Sequence, residues 1–264
     1  MQNFKGKWIT TAFFANKKPF NVFFRQLDSR AYPENMPCNK HILFRKKFKT
    51  EKFARALLRI SADDYYKLYV NGRFVTQGVA PCYSFKQYYN EIDLTAYLQE
   101  GKNLIAVHTY YFGVPNRVCV SGDLQHGLLF DLYIDGKITL CTDESFQCAE
   151  HDGYIGELSN KHKTQFMETY DSRSSFVGFE KISYDDCAWG QAKERTFCEY
   201  TMVKQPTQQL EIYAIQPYSV RKTAKGIFVD IGREIVGNLV LKARGKRGDT
   251  LVFHYGEELD EEGN

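Results

Sequence analysis

Two dipeptides constrain this chain more than any other feature: Asn71-Gly72 and Asp135-Gly136, each flanked by residues that alternate between apolar and polar. Asn-Gly and Asp-Gly readily take the positive φ angles of a two-residue hairpin turn. Ahead of the first, Tyr66, Leu68 and Val70 point one way while Lys67 and Tyr69 point the other, so residues 66–76 are predicted to form a hairpin. Ahead of the second, Leu128, Phe130, Leu132 and Ile134 share a face, and residues 138–141 supply the returning strand. Residues 104–111 are apolar on both alternating sets, broken by His108 and Thr109, which predicts a central strand covered on both sides. His108 in such a strand is expected to be a satisfied core group. Helical signals are confined to single turns, at residues 93–98 with Asp93 as the cap and at Asp185-Asp186 before Ala188-Trp189. The predicted class is therefore all-β, a β-sandwich.

Composition supports the same class, because 18 Tyr and 20 Phe suit pleated surfaces. A net charge of +3 with scattered Lys and Arg argues against a nucleic-acid footprint. The short basic cluster Arg45, Lys46, Lys47 and Lys49 reads as a solvated strand edge. Membrane spanning is not expected, since no apolar run reaches bilayer length. Residues 1–8 lack a secretory apolar stretch, and the seven cysteines, Cys119 among them, include no CxxC pair. A cytoplasmic protein with reduced thiols is the expectation.

The composition shifts around residues 203–217, where Gln205, Pro206, Gln208, Gln209 and Pro217 suit a linker. This divides the chain into a domain of residues 1–202 and a second of 203–264. The second holds three strand candidates, 227–231, 238–243 and 250–255, too few to close a sandwich, so it is expected to be the opening of one.

Several segments, in order, resemble bacterial α-L-rhamnosidases. They are Phe44-Arg45-Lys46-Lys47-Phe48, Ser61-Ala62-Asp63-Asp64-Tyr65-Tyr66 running on to Asn71-Gly72, Tyr89-Asn90-Glu91-Ile92-Asp93 and Gly101-Lys102-Asn103. The more diagnostic ones are Glu168-Thr169-Tyr170-Asp171-Ser172-Arg173 and Asp185-Asp186-Cys187-Ala188-Trp189, followed by residues 229–237 and Tyr255-Gly256-Glu257-Glu258. Related chains usually carry Trp where Phe146 stands here. The resemblance implies a galactose-binding-like jelly-roll β-sandwich followed by the first strands of a second β-sandwich. It also implies that hydrolysis, with inversion, belongs to a helical barrel further along such proteins. The expected role is an accessory region that braces that barrel and contacts rhamnose-containing glycans, inactive as a glycosidase by itself. The alternative is a purely structural or protein-interaction sandwich.

Glycoside hydrolysis needs two carboxyl groups facing each other across a sugar. Asp63-Asp64, Asp185-Asp186 and Glu257-Glu258 are neighbours in sequence whose side chains diverge, so no catalytic residue is assigned. The candidate carbohydrate-binding residues are Glu168, Tyr170, Asp171 and Arg173, because an acid and a base can fix sugar hydroxyls beside an aromatic face. Asp171 and Arg173, two apart, could equally pair with one another. Aromatic groups offer further platforms: Tyr83, Phe85, Tyr88 and Tyr89 in one loop, and Tyr110, Tyr111 and Phe112 at a strand end. Some rhamnosidase accessory domains bind L-rhamnose through calcium beside an Asn-Gly pair, but here Phe166-Met167 occupy those positions. With no oxygen from those side chains, and no metal spacing among the six histidines, His162 included, neither metal nor cofactor is expected.

Overall fold

Strand pairing organises nearly all the regular structure in the computed structural model, which describes residues 4–20, 36–82, 86–114, 121–156, 166–198, 200–224 and 226–256. Tyr83, Phe85, Cys119, His162 and Glu257-Glu258 lie outside the described residues. The strands are β1 (Ile9–Thr10), β2 (Lys40–Thr50), β3 (Ala56–Asp63), β4 (Tyr65–Val70), β5 (Arg73–Gly78), β6 (Lys86–Asp93), β7 (Gly101–Tyr111) and β8 (Gly127–Ile134). They continue as β9 (Lys137–Cys141), β10 (Gln147–Glu150), β11 (Gly190–Gln191), β12 (Lys193–Glu194), β13 (Thr201–Lys204), β14 (Ser219–Thr223) and β15 (Gly226–Asp230).

The chain forms two compact units, Met1–Leu210 and Glu211–Asn264. In the first, a seven-stranded sheet runs β12-β1-β8-β3-β6-β13, with β9 also on β8, and a six-stranded sheet runs β11-β10-β2-β7-β4-β5. The pairings are antiparallel except for β13, which runs parallel to β6. β13 thus holds the start of the predicted linker in the first unit's sheet.

Both predicted hairpins are present, β4–β5 and β8–β9. Asn71 (φ 51°) and Gly72 (φ 83°) make one turn, Asp135 (φ 48°) and Gly136 (φ 80°) the other. The Asn71 amide also stitches its turn to β7, accepting from Leu104 N–H at 2.8 Å and donating to Asn103 Oδ1 at 2.8 Å. β7 is central, as its sequence predicts, between β2 and β4. Residues 94–98 make the predicted single turn, with Thr95 N–H donating to Asp93 Oδ1 at 2.8 Å.

Alternation sends Ile42 and Phe44 of β2, Leu68 and Val70 of β4, and Ile105 and Val107 of β7 inward, against Leu58, Ile60, Leu128, Phe130 and Leu132. Each large apolar side chain buried there contributes about 1.5–3 kcal/mol. Phe146, the residue that departs from the family pattern, is fully buried and meets Phe130 edge-on at 5.4 Å.

The six-stranded sheet carries a second, outer apolar cluster. Leu43, Leu104 and Ala106 face away from the main core and are covered by Phe179, with Phe176, Tyr184 and Trp189 packed around them. Consecutive turns between residues 174 and 189 form this cover.

Three expectations are corrected. Arg45 is not on a solvated edge: β2 lies between β10 and β7, and the Arg45 side chain is 0% exposed beneath the cover. Tyr88 and Tyr89 belong to strand β6, where the parallel ladder to β13 pairs them with Val203 and Lys204, and not to a loop. In the second unit β14 and β15 pair, but residues 238–243 and 250–255 join no sheet among the described residues. An alternating run becomes a strand only when a neighbour accepts its ladder of hydrogen bonds.

Candidate functional site

Beyond the covered area, the outer face of the six-stranded sheet opens into a cleft of about 660 Å³. The ladder sets its floor, because His41, Tyr110 and Tyr65 stand opposite one another on β2, β7 and β4, and His108, Lys67 and Gln77 form the adjoining row. Odd-numbered residues of β2 and β4 and even-numbered residues of β7 point outward together, as the pleat requires.

One wall is the segment carrying Tyr154, Gly156 and residues 166–169, fastened by Ile155 N–H to Thr169 O at 2.9 Å and by Asn39 Nδ2 to Gly156 O at 3.0 Å. The facing wall joins residues 78–81 to residues 205–210. Gln205 holds it together, its Oε1 accepting from Ala80 N–H at 2.8 Å and from Asn90 Nδ2 at 2.9 Å. Asn90 in turn accepts from the Tyr66 hydroxyl at 2.7 Å.

A fixed polar relay runs along the floor. Asn39 Oδ1 accepts from the Tyr110 hydroxyl at 3.2 Å and lies 3.3 Å from His41 Nε2, while His41 Nδ1 is 2.9 Å from His108 Nε2. Because Asn39 presents its oxygen, His41 carries its proton on Nε2, and its bare Nδ1 accepts from His108 Nε2–H. Tyr154 stacks flat on His41, with ring centroids 3.9 Å apart and planes 10° apart.

Burial pushes His41 down to about 3, aided by His151 and Lys67, and holds His108 well below the usual imidazole range. It pushes the Tyr154 phenol up to about 12. At neutral pH these groups are uncharged hydrogen-bonding surfaces. Lys67 and Glu168 are the charged side chains on the cleft among the described residues.

The predicted binding residues separate. Glu168 lines the cleft, and Tyr170 stands behind its wall, bridging Tyr154 with ring centroids 4.8 Å apart. Asp171 and Arg173 grip each other outside it, at 2.9 Å from Nε to Oδ1, with the Arg173 side chain 89% exposed. The Asp185-Asp186…Trp189 motif serves the cover: Arg45 donates to Phe179 O at 2.7 Å, to Lys181 O at 2.8 Å and to the Asp186 carboxylate, and lies over Tyr184 and Trp189. Two segments quoted for the family resemblance therefore meet in space as one clamp.

His41, His108, Asn39 and Tyr154 escaped sequence reasoning. The two histidines are 67 positions apart, and only the register of β2 on β7 unites them.

Calcium takes six to eight oxygen ligands. The wall offers the Glu168 carboxylate, while Phe166 packs on Phe112 at 5.3 Å and Met167 presents a thioether, so these residues do not fit that ion. Among the described residues no group of three or more His, Cys, Asp or Glu side chains is arranged to hold a metal.

The chain belongs to the α-L-rhamnosidase N-terminal domain family, whose model matches residues 51–214, and residues 221–264 match the bacterial α-L-rhamnosidase concanavalin-like domain. Among individual proteins it is similar to an α-L-rhamnosidase of Streptomyces avermitilis, 26% identical over 231 residues, covering 81% of this chain and 22% of that one. An α-L-rhamnosidase of Alteromonas sp. strain LOR is 24% identical over 232 residues, covering 81% and 25%. The fold matches that of the GH78 family rhamnosidase of Bacillus sp. GL1, with a TM-score of 0.69 at 24% identity over 84% of this chain and 22% of that one. It also matches the α-L-rhamnosidase of Dictyoglumus thermophilum, with a TM-score of 0.58 at 20% identity over 88% and 26%. The chain thus spans about a quarter or less of the length of these relatives.

Proposed function

We propose that this chain is the non-catalytic accessory region of a glycoside hydrolase acting on α-L-rhamnosyl linkages, and that its outer-face cleft contacts a rhamnose-containing glycan. The observation that carries the reading is the floor and the wall beside it: uncharged imidazoles, Tyr65 and Tyr110 and Gln77 on the floor, with one carboxylate, Glu168, on the wall, converge on a concave surface. Sugars are recognised by such combinations of directed hydrogen bonds and flat apolar faces. A hydrolytic centre places two carboxyl groups on opposite sides of the scissile bond. Glu168 has no opposing carboxylate among the described residues lining the cleft, so the arrangement suits holding a sugar and not cleaving it. Cleavage is assigned to a catalytic barrel elsewhere in the longer protein.

Titration of isotopically labelled protein with L-rhamnose and methyl α-L-rhamnoside tests this reading. Saturable shifts at His41, His108 and Glu168 that vanish in Tyr154→Ala are expected, together with no release of product from an aryl rhamnoside. A silent titration favours the second reading, a brace for the rest of the protein. The many exposed apolar residues of the second unit, such as Val236, Val240 and Val252, speak for that reading.

A further inference from the structure

Three carboxyl groups, none of them lining the cleft, meet one guanidinium inside the first unit. Asp63 ends β3, Asp64 follows it, and Asp123 stands in the stretch ahead of β8. Asp63 Oδ2 accepts from Arg195 Nη1 at 3.2 Å and from the Tyr200 hydroxyl at 2.7 Å. Asp64 Oδ2 accepts from Ser121 Oγ at 2.6 Å and from Phe112 N–H at 2.8 Å, and Asp123 Oδ1 accepts from Gln125 N–H at 2.9 Å. Arg195, 2% exposed, lies against the rings of Trp8 and Tyr200, and its Nη2 finds no partner among the described residues. Asp63 takes up that one positive charge, which leaves the buried Asp123 without a counterion of its own. A carboxyl buried beside another carboxylate keeps its proton. Burial first, and the Asp63 charge second, push Asp123 up to about 8 and hold Asp64 well above the usual carboxylate range. His126, Cys82 and Cys198 also adjoin the cluster. Burial holds His126 neutral down to about 3 and pushes the Cys82 thiol up to about 11, so neither exchanges a proton between pH 5 and 8. Cys198 Sγ donates to Arg195 O at 3.0 Å.

Arg195 and Tyr200 belong to the stretch between β12 and β13, by which the chain reaches the edge of the seven-stranded sheet. β13 is four residues long and, among the described residues, pairs with β6 alone. Short edge elements with few partners are the first to open. The cleft wall at residues 205–210 follows β13 directly. We propose that the stretch from Arg195 to Tyr200 is a proton-operated strap: with Asp123 neutral it is fastened to Asp63, and loss of that proton as pH rises loosens it, β13 and the Gln205 wall included. Once Asp123 is charged, two carboxylates compete for one guanidinium, whose Nη2 is the donor left to offer. In the open form water reaches Asp123 and its proton leaves near pH ~3.9. Between there and about 8 the open form binds fewer protons than the closed one, so rising pH favours opening. The sign is opposite to that of a buried histidine.

Hydrogen exchange of the full chain, followed by mass spectrometry at pH 5 and 7 and corrected for intrinsic rates, tests the strap in the wild type and in Asp123→Asn, which keeps an acceptor for Gln125 N–H. The peptide of residues 195–204 is expected to exchange well ahead of β7. The ratio of its opening constant in the wild type to that in the variant should rise about 50- to 100-fold from pH 5 to pH 7. An unchanged ratio, or exchange of residues 195–204 only in step with β7, overturns the proposal. Infrared spectra of the wild type supply a second measurement that does not depend on the variant folding. A neutral-carboxyl band is expected at pH 7 that weakens between pH 7 and 9. Absence of the band at pH 7, or a band unchanged to pH 9, also overturns the proposal.

Discussion

One face of one sheet has two fates in this protein. At the covered part of the six-stranded sheet, Arg45 is sealed beneath residues 176–189 with each of its nitrogens engaged. Four residues along the same strand, about 13 Å away, His41 and its neighbours stay open as the floor of a cleft. The difference lies in how each region handles buried polarity. The covered part keeps a full charge and surrounds it with acceptors, whereas the open part uses imidazoles that burial holds neutral. A permanent charge under a lid fixes one arrangement, while uncharged groups at a surface leave hydrogen-bonding capacity for a guest.

The sharpest way to break this comparison is Arg45→Ala, which leaves Asp186 with Lys47 alone at 2.9 Å and removes the donors to Phe179 O and Lys181 O. A loss of about 3 kcal/mol is expected in urea denaturation, the low end for breaking a buried pair because Lys47 remains. The double change Arg45→Met with Asp186→Leu should recover most of that loss. Phe179→Ala, which empties the cover above Leu43, Leu104 and Ala106, should cost about 2 kcal/mol, since a surface lid settles partly into the gap.

At the open part the test is pH. His41 titrates at about 3 in the fold and near 6.5 when unfolded, so between those values the unfolded chain binds more protons. Stability therefore falls as pH falls from 6.5 towards 3, and His41→Gln, which retains a donor and an acceptor, should flatten the decline by about 1 kcal/mol between pH 6.5 and 5.5. His126, also held at about 3 by burial, leaves a residual slope in that variant. The smallest effect belongs to the exposed pair: Asp171→Asn should leave the denaturation midpoint unchanged, because solvent and salt screen Arg173.

What the sequence disclosed, and what it withheld, follows the range of the interactions. Both hairpins, the turn after Asp93 and the central place of β7 were legible because Asn71-Gly72, Asp135-Gly136 and local alternation determine them. Arg45 was misread because Arg-Lys-Lys-Phe-Lys looks solvated within its own window, while its partners lie 134 to 141 positions later. The signal present but unused was phase: Arg45 shares its parity with Leu43 and His41, so the three occupy one face. Glu168 was readable from its motif, but the cleft floor it adjoins depends on a register among β2, β7 and β4 that no short motif encodes. The strands expected at 238–243 and 250–255 carry the right alternation, yet alternation names no partner.

The clamp on Arg45 also orders events in time. During synthesis β2 emerges early, β7 pairs with it some sixty positions later, and the acceptors on Phe179, Asp186 and Lys181 arrive only 134, 141 and 136 positions after Arg45. Until then a nascent β2 holds a guanidinium that only water can satisfy, which keeps the unfinished sheet from closing around it. Such distant pairings fold slowly, and turns made much later in synthesis are the ones that lock the earliest long strand in place.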